Sequence, residues 1–444
     1  MVQGPLLIVI LLAAIAFIVL MTAKVRMHAF LVLLLAAFGV GILSGMNPLD
    51  VIKTVTGGFG GILSYIGIVI IAGTIIGTLL EKSRGTLTMA NTVLDFIGEA
   101  KSALAMSITG AIVSIPVFCD SGFVILSSLN KSLAKKSKTS MATMAVALSS
   151  GLYATHTLIP PTPGPIAAAG TLGADLGMVI ILGLVVSIPT IGAGYLWATK
   201  FAGNYYIESD IEIEVEEENV ELPSRFDAFA PIVIPIILIT LKSIVDFPAH
   251  ILGTGNLKLF FDFFGDPTVA LLIGVFLGFR LMPELNGEYF NGWVGEGIKN
   301  AASIIMITGA GGAFGAVLKA TPIGSYLGTT LAHYNLGIFL PFVIAAALKT
   351  AQGSSTVALV TTASLLSPLL PELGLDAGMA QSLVVMAIGA GAMTISHAND
   401  SYFWVVSQFS NMDTSTAYKT HSMGTLIQGI TAIITVYILS LIFI

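Results

Sequence analysis

Charge is scarce in this chain. Of 444 residues only 10% are Asp, Glu, Lys or Arg, where a soluble domain carries roughly 25%, and 55% are hydrophobic. No water-soluble class fits that balance. Cysteine is scarcer still: the single Cys119 excludes an internal disulfide and a multi-thiolate metal centre. Two enzyme signatures are also missing. Ser, His and Asp are all present, yet no Gly-x-Ser-x-Gly elbow and no His-Glu-x-x-His helix occurs, which argues against an intramembrane protease or acyl transferase.

What the chain has instead is apolar runs: 5–21, 29–43, 58–80, 102–118, 139–158, 176–198, 229–245, 267–281, 300–318, 336–348, 377–395 and 421–444. Several reach the ~20 residues that a spanning helix needs. The first has its basic residues, Lys24 and Arg26, after the apolar core, and no small-residue cleavage site leads into a soluble domain. It reads as a retained helix, not a leader. The expectation is an all-α polytopic protein of a bacterial-type inner membrane, its partner the lipid bilayer and not a nucleic acid.

The net charge of −6 is local. Glu208, Asp210, Glu212, Glu214, Glu216, Glu217, Glu218 and Glu221 crowd into one stretch without a base, and outside it the balance is slightly positive. That stretch reads as a solvated cytoplasmic linker. Basic residues mark the cytoplasmic side, so Lys24 and Arg26 put the N-terminus outside. Between Lys101 and the cluster Lys131, Lys135, Lys136 and Lys138 lie two apolar pieces divided at residues 116–122. With both ends cytoplasmic, this stretch enters and turns back as a re-entrant hairpin. Irregular backbone at that depth survives only where protein or a water-filled cavity satisfies it.

The second half echoes the first. Gly73, Gly77 and Leu80 match Gly311, Gly315 and Leu318, and Gly151 and His156 match Gly391 and His397, with residues 120–122 in the slot of 352–356. The expected architecture is two inverted-topology repeats, each with a re-entrant hairpin and an unwound helix, in about ten spans plus two hairpins. The divisions are 1–48, an N-terminal helix pair; 49–200, the first repeat with a cytoplasmic-side hairpin; 201–228, the acidic loop; 229–290, connecting helices; and 291–444, the second repeat with an outer-side hairpin. A channel would surround its pore with symmetric rings, whereas here the breaks fall in antiparallel halves of one chain. Residues 86–98 and 323–334 read as amphipathic or partial segments, and 246–265 as an external loop or surface helix.

Four polar breaks carry the chemistry. They read Phe118-Cys119-Asp120-Ser121-Gly122-Phe123; Ala154-Thr155-His156-Thr157-Leu158-Ile159-Pro160-Pro161-Thr162-Pro163-Gly164-Pro165; Gln352-Gly353-Ser354-Ser355-Thr356; and Ser396-His397-Ala398-Asn399-Asp400-Ser401-Tyr402-Phe403-Trp404. Together they resemble the gluconate permease family of sugar-acid/proton symporters, over essentially the whole chain. The resemblance implies a member of the wider ion-transporter superfamily, moving a small anionic substrate by an elevator-type step, usually as a homodimer. Gluconate, other aldonates, glycerate-like hydroxy acids and D-serine all suit it.

The residues read separately point to the same places. Helices starting near Ser121 and Ser354 would aim unpaired N–H groups and about half a positive charge into the membrane interior, an anion site built without arginine. Ser121, Ser354, Ser355 and Thr356 offer hydroxyls, Gly122 and Gly353 close approach, and Gln352 an amide. Each serine has an ordinary alternative as a helix cap. Pro160, Pro161, Pro163 and Pro165 force an unwinding beside Thr155, His156, Thr157 and Thr162. His397, Asn399, Asp400 and Ser401 fill the equivalent break, where Asp400 has the alternative role of capping helix 401–409. Intramembrane ionisable groups mark pathways or relays, so Asp120, His156, Asp400 and His397, in that order, are the candidates for carrying a coupling proton. No cofactor or metal is expected.

Overall fold

The computed structural model describes residues 1–209, 222–246, 255–323, 326, 336–376 and 378–444. The acidic stretch beyond Ser209 and most of the ambiguous 323–334 segment lie outside the described residues, as do residues 247–254. Within them the chain is helical. The N-terminal pair is α1 (Leu6–Val19) and α2 (Ala29–Leu43). Next come α3 (Pro48–Lys82), α4 (Gly85–Ile97), α5 (Ser102–Val113), α6 (Cys119–Ser137), α7 (Met141–Leu158), α8 (Pro163–Leu172) and α9 (Leu176–Lys200). The connecting region holds α10 (Arg225–Asp246), α11 (Asn256–Phe264) and α12 (Pro267–Gly278). The second half runs through α13 (Gly295–Ala320), α14 (Phe339–Gln352), α15 (Ser355–Leu366), α16 (Gly378–Ala392), α17 (Ser401–Phe409) and α18 (Met423–Phe443).

Each apolar run of the sequence falls on a helix, and local chemistry sets the ends. Asn47 caps α3 through Leu49 N with Pro48 in its first turn, Asp175 caps α9 through Met178 N, and Asp266 caps α12 through Thr268 N. These carboxylate and amide caps satisfy N–H groups that the helix itself leaves free. The ambiguous 86–98 segment is the amphipathic helix α4.

Among the described residues five helices are by themselves long and apolar enough to cross a bilayer, and the pair α11 and α12, bent by 64°, makes a sixth if counted as one. Helices such as α5, α14, α15 and α16 have 10–17 residues, and at 1.5 Å per residue most fall short of the ~30 Å hydrocarbon core. They are short because they stop at the polar breaks. Large apolar side chains point outward from the bundle, among them Leu12, Ile188, Phe276 and Leu441. Acyl chains are the solvent such a surface requires.

The centre of the bundle is α7. Every residue from Met141 to Leu158 is buried, the mark of a helix surrounded on all sides. Helices α5, α9, α16 and α18 pack around it. Long α3 lies against α13 and cradles both breaks of the first half. A Cβ on Gly73 would stand 2.8 Å from the Pro161 carbonyl oxygen, and one on Gly77 would collide with that of Pro116. Only glycine lets these unwound carbonyls approach so closely.

Candidate functional site

The four breaks predicted from the sequence are all present. The α5–α6 break spans residues 114–118, where Ser114 Oγ donates to the Val117 carbonyl at 3.0 Å. Helix α6 starts at Cys119, two residues earlier than the sequence suggests, so Asp120 lies in its first turn. Helix α7 stops at Leu158 ahead of a cis Pro160–Pro161 bond, and α8 starts on Pro163. Between α14 and α15 the chain turns at Gly353, whose φ of +91° is a conformation that side chains resist. A Cβ there would also strike the Asn399 carbonyl. The Gln352 amide closes the turn from both ends, donating to Ser354 O at 2.6 Å and accepting from Ser354 N at 3.0 Å. Residues 393–400 are unwound between α16 and α17.

Three helix starts converge on one cavity of about 270 Å³. Phe118, Cys119 and Asp120 come from the start of α6; Gln352 from the end of α14; Gly353, Ser354, Ser355 and Thr356 from the turn into α15; Asn399, Asp400, Ser401 and Tyr402 from the turn into α17; and Tyr153 and His156 from α7. Ser354 caps α15 through Val357 N, and Asp400 caps α17 through Tyr402 N at 3.1 Å. The cavity therefore faces positive helix ends and polar side chains together.

Two ionisable groups in its wall have spare bonding capacity. Asp120 Oδ1 and His156 Nδ1 are buried without a hydrogen-bond partner among the described residues. The His156 ring stacks nearly parallel to Tyr153, at 6.5 Å and 11°. A buried polar atom left unpaired in a packed interior is costly, and such atoms facing a cavity are available to whatever enters it.

Asp400 is differently placed. Its Oδ2 accepts from Lys349 Nζ at 2.6 Å and from Ser396 Oγ at 2.5 Å. Lys349, fully buried near the end of α14, also donates to the Gly353 carbonyl and stands 5.9 Å from the centre of the Tyr153 ring. The described lining holds no Lys or Arg, but Lys349 is immediately behind it, bonded to two lining residues. On the sequence the anion site reads as built from helix ends without arginine, with no part given to Lys349. The structure adds a lysine: its side chain is enclosed and its ammonium is bonded to the Gly353 carbonyl and to Asp400. A lone lysine three residues before a Gln-Gly break was the available signal.

Other predicted residues are not in the wall. Ser121 lines a separate cavity of about 180 Å³ with Thr74, Gly77 and Asn300, and a Cβ on Gly122 would press against Leu152. Thr155, Thr157 and Thr162 return their hydroxyls to carbonyls of their own segments, Gly151, Tyr153 and Ile159 respectively. That is how a buried threonine satisfies itself on a helix. His397 Nε2 and Asn399 Nδ2 both meet the Thr350 carbonyl at 2.9 Å, tying the 393–400 segment to the end of α14. Asn399 still reaches the wall; His397 does not.

With this geometry in view, comparison with known proteins is informative. Residues 6–442 match the family described as GntP family permease. A gluconate permease of Pseudomonas aeruginosa is 32% identical, with 97% of both chains covered. The D-serine transporter DsdX of Escherichia coli is also 32% identical, covering 97% of this chain and 98% of the relative. The fold resembles that of the Alcanivorax borkumensis YdaH transporter, with a TM-score of 0.68 at 15% identity, covering 93% of this chain and 98% of that one. This chain belongs to the GntP family of permeases, and is a multi-pass inner-membrane transporter and not an enzyme.

Proposed function

We propose that this permease imports gluconate or a related sugar acid together with a proton. The observation that carries the reading is the meeting of three helix starts and the Lys349 ammonium around one small cavity. Helix N-termini favour a carboxylate, and the hydroxyls and amides of Gln352, Ser355, Thr356, Asn399 and Ser401 suit a polyhydroxylated chain. The cavity is smaller than the roughly 300–1,000 Å³ of drug-sized sites, which fits a small metabolite. The P. aeruginosa relative, named a gluconate permease, supports the same substrate class.

The coupling proton rides on a group in the wall: Asp120, His156 or Asp400. Of the four sequence candidates only His397 is outside it. Transport is of the elevator type in a homodimer, as the family resemblance implies, with residues 49–200 and 291–444 as inverted repeats. Support for the repeats comes from helix order: α3, α5–α6 and α7–α8 are followed in the second half by α13, α14–α15 and α16–α17. Matching close approaches add to it. A Cβ on Gly151 would strike the Ser107 carbonyl of α5, and one on Gly391 the Phe342 carbonyl of α14.

The test is a melting-temperature panel of sugar acids and hydroxy acids on purified protein, then uptake of stabilising compounds into liposomes under imposed pH or sodium gradients. Gluconate uptake that follows the pH gradient supports the reading; uptake that follows only sodium contradicts it. One observation favours D-serine as a second substrate: the unpartnered Asp120 Oδ1 suits an ammonium group, and a relative is named for that amino acid. D-serine competing with gluconate would support it.

A further inference from the structure

Lys349 poses a problem of charge. A carboxylate entering the cavity is held more strongly by a cation than by helix ends alone, and the cation bonded to its wall among the described residues, Lys349, is already neutralised by Asp400. Adding a monoanion beside that buried pair leaves a net negative charge there, which is costly. One proton on Asp400 removes the excess.

We propose that Lys349 receives the substrate's carboxylate, and that Asp400 releases Lys349 by taking the coupling proton. This rests on the sugar-acid reading above, and selects one site from its three proton candidates. Lys349 is placed for the exchange, since its partners Gly353 and Asp400 both line the cavity. Asp400 is placed to take a proton without turning to the cavity. Ser396 Oγ donates to it, and the same oxygen lies 3.2 Å from His421 Nε2. His421, buried where α18 begins, has its Nδ1 3.3 Å from Ser149 Oγ of α7.

The step balances. His421, taking up a proton at Nδ1 on its Ser149 side, passes its Nε2 proton to Ser396 Oγ as Ser396 passes its hydroxyl proton to Asp400 Oδ2. The products are neutral His421, an intact Ser396 hydroxyl and neutral Asp400. One proton has entered, the Lys349–Asp400 ion pair has opened, and the substrate carboxylate takes its place on Lys349. The titratable and charged groups that Asp400 faces are Lys349 on α14, Cys119 and Asp120 on α6, Tyr153 and His156 on α7, Tyr402 on α17, and His421. Lys349 is the cation among them that touches it.

The test uses the full chain, with gluconate as probe, in wild type, D400N, the double variant K349Q/D400N and H421Q. Asparagine mimics neutral Asp400. D400N should bind gluconate with an affinity independent of pH. It should lose accumulation driven by a pH gradient. It should also melt lower than wild type and be stabilised more by gluconate, because the ligand replaces the missing negative charge on Lys349. K349Q/D400N removes both charges of the pair, so it avoids an unpaired buried ion; it should fold yet lose gluconate affinity by about a hundredfold or more relative to D400N, the scale of a lost charge pair. H421Q should slow proton-driven uptake more than it slows counterflow. D400N that still accumulates gluconate under a pH gradient overturns the proposal, as does a folded double variant that binds like D400N. Equal slowing of both transport modes in H421Q removes the relay. Wild-type protein that does not bind gluconate overturns the substrate reading as well, which distinguishes the two failures.

Discussion

Lys349 Nζ lies 2.6 Å from Asp400 Oδ2, joining the end of α14 to the unwound segment before α17 across 51 residues of chain. Both side chains are buried. An ion pair of this kind brings modest net stability because each charge has lost its water, but removing one partner strands the other. The K349A variant should therefore lose about 3–5 kcal/mol of stability, seen as a sharply reduced yield and melting temperature in detergent. The double variant K349M/D400L, which replaces the pair with apolar side chains, should recover most of that loss. Equal melting of K349A and wild type would contradict the structural role.

Gly77 on α3 lets the Pro116 carbonyl sit where a methyl group would otherwise be. G77A should destabilise by about 1–3 kcal/mol through overpacking and impair uptake by displacing the start of α6. G60A lies on the same helix with nothing within 4 Å of its new Cβ. It should melt at or slightly above the wild-type temperature, since alanine is the better helix former by about 1 kcal/mol. Thermal melts of the two variants side by side check this.

Cys119 is the chain's only cysteine, and it lines the cavity in the first turn of α6. A small cationic methanethiosulfonate should modify it slowly, because the residue is only 2% exposed, and modification should abolish uptake. Gluconate should slow the labelling; mass spectrometry of the intact chain reads it directly. Labelling at the same rate with and without gluconate would place the substrate elsewhere.

Ser354 both caps α15 and reaches the cavity. Its replacement by alanine should cost about 0.5–2 kcal/mol as a lost cap. S354A should also weaken gluconate binding, since the hydroxyl faces the proposed ligand. Melting and isothermal binding measurements separate the two effects. Unchanged affinity with a lowered melting temperature would reduce Ser354 to a cap.

Much of this arrangement is legible in the sequence because breaks in membrane helices have strong local causes. Pro160, Pro161, Pro163 and Pro165 cannot continue a helix, and Gly353 takes a backbone conformation that other residues avoid. Those two features place helix breaks at the end of α7 and at the start of α15. The alternative role of Asp400 as a cap is real and coexists with its place in the wall. Side-chain direction is less legible. Thr155 and Thr157 follow the same motif as His156 but fold back on their own helix, and nothing in their spacing distinguishes a threonine that lines a cavity from one that bonds to the preceding turn. The role of Lys349 is hidden for a related reason. At the edge of an apolar run a lysine ordinarily snorkels outward, and only the fold shows that a carboxylate 51 residues later draws it in. Tyr153 and Tyr402 line the cavity, but in sequence a buried aromatic looks like ordinary core.

The measurement that bears most directly on the central claim is the steady-state accumulation of labelled gluconate in liposomes against the size of an imposed pH gradient, with membrane potential clamped. One proton per monoanion predicts an accumulation ratio rising about tenfold per pH unit, equivalent to about 1.4 kcal/mol, with no response to sodium. An accumulation ratio that stays at unity across pH gradients, or rises only with a sodium gradient, would contradict it.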